Sequence, residues 1–167
     1  MNIAGRLARH LTMTHWQVRR SFPESALGAI EAAVRAAEQG HTGEIRVVIE
    51  GALPAAALWR GITGHQRAIE VFSLLRVWDT EHNNGVLIYL LLADHDVEIV
   101  ADRGIAHRVG QETWEAICRQ METEFRAGRF REGVLTGIQA VSATLAQHFP
   151  GKGKGRGNEL PDRPLVL

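Results

Sequence analysis

Two groups of polar residues carry enough oxygen ligands to do chemistry. The first is Glu81-His82-Asn83-Asn84-Gly85, with Glu44 upstream and Asp102-Arg103-Gly104 downstream. Carboxylate and amide oxygens are the ligands that hard cations such as calcium or magnesium take. A cation held there would activate water for hydrolysis. The same residues also fit plain turn chemistry, with Asn-Gly before a strand, Asp102 closing a strand end and Glu81 in solvent. The second group, Asp94-x-Asp96-x-Glu98, alternates like side chains on one strand face. It would either grip a cation or form a solvated hairpin tip. The candidate metal ligands are Glu44, Glu81, Asn84 and Asp102, for calcium or magnesium, and no organic cofactor is expected. No catalytic residue can be named, because no nucleophile or base is identifiable in a cleft. The chain has no His-x-x-His, Cys pair, Gly-x-Ser-x-Gly or P-loop, and its eight histidines lack zinc spacing.

The elements that must position these residues centre on a hairpin. An apolar run from Val86 to Ala93, a polar turn at 94–96 and a second strand from Val97 to Ala101 follow one another. With His95-Asp96 as the loop, Asp94 would pair with Val97 and Tyr89 with Asp102. Upstream, Glu44 to Glu50 (EIRVVIE) is short and β-branched, a buried strand. A helix joins it to the hairpin, so those two strands should run parallel with a right-handed crossover. Gly43 and Glu44 then arrive at the same rim as Asn84 and Asp102. Asp94 to Asp96 lie at the opposite end, roughly 25–30 Å away at about 3.3 Å per residue.

Helices should cover both faces of this sheet. Ser21-Phe22-Pro23-Glu24 fits a helix start with Ser21 as cap, Leu27, Ile30, Val34 and Ala37 inward, and Gly40 as stop. Thr63-Gly64-His65-Gln66 reads as a capping box, with Ala68, Val71, Phe72, Leu75 and Trp78 on the buried face. Trp114, Ile117, Cys118, Met121 and Phe125 form a third helical face, ended by Gly128. The fourth helix, from about 130 to 149, turns Val134, Ile138, Val141 and Leu145 inward, and Gly133 and Gly137 let another element approach closely. Cys118 is expected as a small buried hydrophobe, since nothing basic is predicted beside it. The fold class is α/β, a mixed, mostly parallel sheet of about 3–4 strands sandwiched between about four helices.

The chain has 167 residues, 45% apolar and 23% charged, enough for one domain with a real core. Its charges balance at 19 basic and 19 acidic, which gives no overall field for nucleic acid. The division expected is a basic helix or arm at 1–20, an α/β domain at 21–150 and a flexible tail at 151–167. Residues 1–20 contain Arg6, Arg9, Arg19 and Arg20 and no acid. They form either an amphipathic helix that rests on anionic lipid or a partner, or an extra helix packed on the domain. The tail, Gly-Lys-Gly-Lys-Gly-Arg-Gly and then two prolines, should be mobile. One cysteine, no apolar run near 18 residues and no signal-peptide pattern give an expectation of a cytoplasmic, membrane-peripheral protein.

Thr42-Gly43-Glu44-Ile45-Arg46-Val47-Val48, Phe72…Trp78, Asn84-Gly85-Val86-Leu87-Ile88, Val97-Glu98-Ile99-Val100 with Gly104-Ile105, and Phe125-Arg126-Ala127-Gly128-Arg129-Phe130…Gly133…Gly137-Ile138 together resemble the TPM domain. The likeness covers about residues 24 to 149. It implies a mixed sheet between helices. Members of that family include thylakoid lumen proteins, bacterial membrane-anchored proteins and a receptor accessory subunit; calcium binding belongs to some, and phosphatase activity has been proposed for some. Members carry Asp-Asn-Gly where this chain has Asn83-Asn84-Gly85, and Gly-x-Gly where it has Asp102-Arg103-Gly104. The resemblance implies an accessory or interaction protein that binds a divalent cation and acts near membranes or membrane complexes through a protein partner. The alternative is a metal-dependent phosphatase acting on phosphate monoesters.

Overall fold

The computed structural model describes residues 3–151 and 158–167. In chain order the helices are α1 (Ile3–Thr12), α2 (His15–Ser21), α3 (Glu24–Ala37), α4 (Ala55–Trp59), α5 (Gly64–Leu74), α6 (Arg103–Ala106), α7 (Gln111–Arg126) and α8 (Phe130–His148). The strands are β1 (Glu44–Glu50), β2 (Gly85–Leu91), β3 (Asp96–Ala101) and β4 (Leu165–Val166). They form one sheet in the order β3-β2-β1-β4. β1 runs parallel to β2 and to β4, and β3 is antiparallel to β2. The α/β class and the mixed, mostly parallel sheet between helices are as the sequence predicts.

Every residue of β1 and β2 is buried, because both sheet faces are covered. On one face Ile45, Val47, Val86, Ile88 and Leu90 share a core with Ile30 and Val34 of α3, the apolar stripe of α7 and that of α8. On the other, Val48, Leu87, Tyr89 and Leu91 pack with Ala68, Val71 and Phe72 of α5 and with Leu160. Gly133 and Gly137 of α8 sit against Phe125 and Met121 of α7, where a Cβ would collide. This is the close approach their four-residue spacing implies.

Several local expectations need correcting. Ser21 ends α2 rather than capping the next helix, and α3 starts at Glu24 behind Pro23, which has no side-chain cap. Residues 3–21 form two helices because Thr14 and Gln17 build a capping box that restarts the chain. The capping box at Thr63 and Gln66 is present. α5, however, stops at Leu74, and Trp78 is 44% exposed rather than on the buried face. Arg76, in the left-handed region at φ 53°, turns the chain before Trp78 is reached.

The hairpin is looser than a two-residue turn. A 3-10 turn at Leu92–Asp94 and left-handed His95 make the loop, so Leu91 pairs with Asp96 and Tyr89 with Glu98. The physical reason is Asp94, whose carboxylate is turned toward α1 instead of extending the ladder. The tail also differs from a mobile segment over residues 158–167. Leu160 is buried, and Leu165 and Val166 pair with Val48 and Ile49. This closes the outer edge of β1, and the buried Arg46 guanidinium donates to the carbonyls of Pro161 at 2.7 Å and Arg163 at 2.5 Å. The glycine-lysine stretch at 152–157 lies outside the described residues.

Candidate functional site

The parallel register sets Glu44 beside Gly85, and the Asp102 amide donates to the Gly85 carbonyl at 2.9 Å. The starts of β1 and β2 and the end of β3 therefore share one rim, as the topology read from the sequence requires. The turn that builds this rim is demanding. Asn83 adopts φ 52°, a conformation asparagine tolerates better than most residues. Gly85 lies against the Val77 carbonyl and Gly104 against the carbonyls of His82 and Asn83, where any Cβ would collide. The Gly104 amide also donates to the Asn83 carbonyl at 2.8 Å. The 82–84 turn is thus clamped onto the start of α6.

The four candidate ligands share the rim but differ in what they touch. The Glu44 carboxylate is buried and accepts from the Leu160 amide at 3.2 Å. Burial pushes this carboxyl above its ordinary value, against the pull of the Leu160 and Glu159 amides. Glu81 is exposed, and its backbone amide donates to the Glu159 carboxylate at 2.9 Å. Asn84 is fully buried; its side-chain nitrogen donates to the Thr42 carbonyl at 3.1 Å, and its oxygen accepts a long bond from Thr80 Oγ1 at 3.4 Å. It ties the turn to the entry of β1. Asp102 is only 4% exposed. Its Oδ1 caps α6 by accepting from the Arg103 amide at 2.7 Å, while its Oδ2 is buried with no hydrogen-bond partner among the described residues.

A buried carboxylate oxygen without a donor is costly and asks for a cation or a proton. A bare carboxylate oxygen is the kind of hard donor that calcium or magnesium accepts. Among the described residues no group of three His, Cys, Asp or Glu side chains could hold a metal ion. Of the four candidate ligands, Asp102 is the one whose carboxylate keeps a bare oxygen to offer an ion.

Sequence reasoning missed two residues beside Glu44. Glu38 accepts from the Ile45 amide at 2.9 Å, and its carboxyl is pushed up to about 8 by burial, with the charges of Glu44 and Asp162 adding to the shift. His41 is buried; its Nδ1 donates to the Gly43 carbonyl at 3.0 Å and its Nε2 has no partner. Burial lowers its pKa, so the neutral ring is favoured. The available signal was position, since both residues directly precede the Gly43-Glu44 entry that topology had already placed on the rim.

The opposite end of the sheet is of a different kind. Asp94 meets Arg6 at 2.8 Å, Arg9 at 3.2 Å and His10 at 3.1 Å. His10 Nδ1 accepts from the Leu53 amide at 2.9 Å, which leaves the proton on Nε2, facing Asp94. Burial alone would raise the Asp94 pKa, but Arg6, His10 and Arg9 outweigh it and hold the carboxyl below its ordinary value. This cluster docks α1 onto the hairpin turn, so two of the four basic-arm arginines face the protein. Asp96 and Glu98 are separate from it, and Glu98 pairs with His65 at 2.9 Å. A third polar group, buried beneath α5, joins the Tyr89 hydroxyl to Glu50 at 2.6 Å and Glu50 to Arg67 at 2.9 Å. All of its members are mutually engaged. No helix among the described residues is long and apolar enough to cross a membrane.

Comparison with known proteins gives one consistent result. Residues 20–144 match the TPM domain family. Among solved structures, the BA42 protein of the psychrophilic bacterium Bizionia argentinensis is 32% identical, with a TM-score of 0.74 over 86% of this chain and 93% of that one. The N-terminal domain of a protein from P. gingivalis is 21% identical, with a TM-score of 0.60 over 77% of this chain and 80% of that one, and shows the fold alone. No curated protein matches. With three quarters of its length inside the matched region, and with the sheet order and helix layers just described, the chain belongs to the TPM domain family.

Proposed function

We propose that this chain is a divalent-cation-dependent phosphatase acting on phosphate monoesters at the rim around Asp102. The family model that matches the chain carries the word phosphatase, which supports this reading. The observation that carries the reading is the buried, unpartnered Asp102 Oδ2, held beside a turn whose carbonyl oxygens are packed against Gly104. A bound cation would neutralise phosphate charge and make a bound water more acidic. Asp102 would hold it, and the neighbouring Arg103, exposed at the start of α6, is placed to meet a phosphate oxygen. Glu44, Asn84 and the 80–84 turn fix the rim on which Asp102 sits.

The test combines calorimetric titration with calcium and magnesium and hydrolysis of p-nitrophenyl phosphate. Asp102→Asn keeps the helix cap and removes the charge. The expected outcome is saturable cation binding, hydrolysis that stops in chelator, and loss of both in the variant. Hydrolysis that persists with chelator present and with Asp102→Asn would end this reading.

A further inference from the structure

Among the described residues the sheet ends on the two-residue β4 at one side and on the six-residue β3 at the other. β3 pairs with β2 alone among the described residues, and no strand lies on its other side. The Asp102 amide points to Gly85, so counting back in twos, Val100, Glu98 and Asp96 turn their amide groups toward β2. Val97, Ile99 and Ala101 turn theirs outward. This edge runs along a groove of about 630 Å³ between α5 and α7. The Ile99 backbone meets the Cys118 thiol there, a weak acceptor.

Two further features of the groove point to an occupant. Trp114 of α7 lines it, is only 7% exposed, and its indole N–H has no hydrogen-bond partner among the described residues. An indole N–H in such a position donates to a carbonyl when one is supplied. The groove is also acidic, with Asp96, Glu98, Glu115 and Glu122 among its lining residues. His65, Arg119 and Arg126 offset three of these, but Asp96 forms no ion pair among the described residues. Burial, with the charges of Glu98, Glu122 and Asp94, outweighs the pull of Arg6 and pushes the Asp96 carboxyl up to about 6. A cationic occupant would relieve that crowding.

We propose that the open edge of β3 accepts an extended, basic segment of a protein partner, which pairs as an added strand beside Val97, Ile99 and Ala101. The backbone of the segment would pair with the outward amide groups of Val97 and Ala101 and compete with the Cys118 thiol for that of Ile99, and one of its carbonyls would accept from Trp114 Nε1. Its lysines or arginines would lie against Asp96 and Glu98. A second copy of this chain fits less well, because it would set two acidic edges against each other. This site lies on β3 and α7 and does not depend on the cation at Asp102.

The probe is an acetylated and amidated peptide of about six residues with alternating lysine and valine. It is titrated into the full chain and followed by amide NMR and hydrogen exchange. The expected result is exchange protection at Val97, Ile99 and Ala101 and a shifted Trp114 indole N–H signal. The glutamate counterpart should not bind, and methylating alternate peptide nitrogens should abolish the protection. Asp96→Asn with Glu98→Gln should weaken binding about tenfold. Equal binding by the N-methylated peptide, or shifts without amide protection, would overturn the proposal. So would β3 signals that broaden with protein concentration alone, since a second copy would then hold the edge.

Discussion

Asp94 and Asp102 sit at opposite ends of the same hairpin, and each is a buried or nearly buried carboxylate at a strand end. Asp94 faces two guanidiniums and an imidazole. Asp102 faces a single backbone amide and leaves one oxygen without a partner. A carboxylate surrounded by cations is already satisfied, and its work is to dock α1. A carboxylate buried with one oxygen bare costs stability unless a ligand completes it. The comparison separates a structural acid from a site, although the two look alike in sequence.

The largest effect should come from breaking the saturated end. Asp94→Ala leaves the buried Arg6 and His10 facing no charge and should cost about 3–5 kcal/mol, read from urea unfolding. Because the folded Asp94 pKa lies below its ordinary value, its contribution is present above about pH 4 and lost as pH falls through the depressed folded value. The variant should therefore lose that acid sensitivity. A cost under about 1 kcal/mol would erase the contrast, since it would place Asp94 among ordinary surface ion pairs.

A smaller effect of the opposite sign belongs to the rim. Glu38 has a folded pKa of about 8, above its unfolded value of 4.5. The unfolded chain gives up this proton first as pH rises, so the wild type loses stability between roughly pH 4.5 and 8. Glu38→Gln keeps the acceptor for the Ile45 amide and removes the titration. It should flatten that slope and gain about 3 kcal/mol at pH 8 relative to pH 5. An unchanged slope would show that some other group sets the pH response at this rim.

The sequence made some of this contrast legible. The parallel order of β1 and β2 follows from the helical connection between them, and that order together with the antiparallel hairpin brings Glu44, Asn84 and Asp102 to one rim. Apolar runs in β1 and β2 announce a sheet covered on both faces. The hairpin register was not legible, because Asp94 is turned away by Arg6, Arg9 and His10, which lie more than 80 positions upstream. The return of residues 158–167 was hidden for a related reason. A proline-rich segment has little strand signal of its own, and it is held by Arg46 and Glu44 of β1. What each rim side chain touches depends on such distant partners, so type and spacing identify the ligands but not their state.

The smallest effect is the one that discriminates most. Asp102→Asn preserves the α6 cap, since asparagine caps about as well as aspartate. It also removes a buried charge that has one unpartnered oxygen. In chelator the variant should therefore melt within about 1 kcal/mol of the wild type, on the stable side. Added calcium should reverse the order. A ligand that binds only the folded state stabilises it by about 2.7 kcal/mol at one hundred times its dissociation constant. The wild type should gain this and the variant should not. If Asp102→Asn destabilises the chain in chelator as much as Asp94→Ala does, the two ends of the hairpin are alike. Asp102 would then hold the fold together rather than wait for a cation.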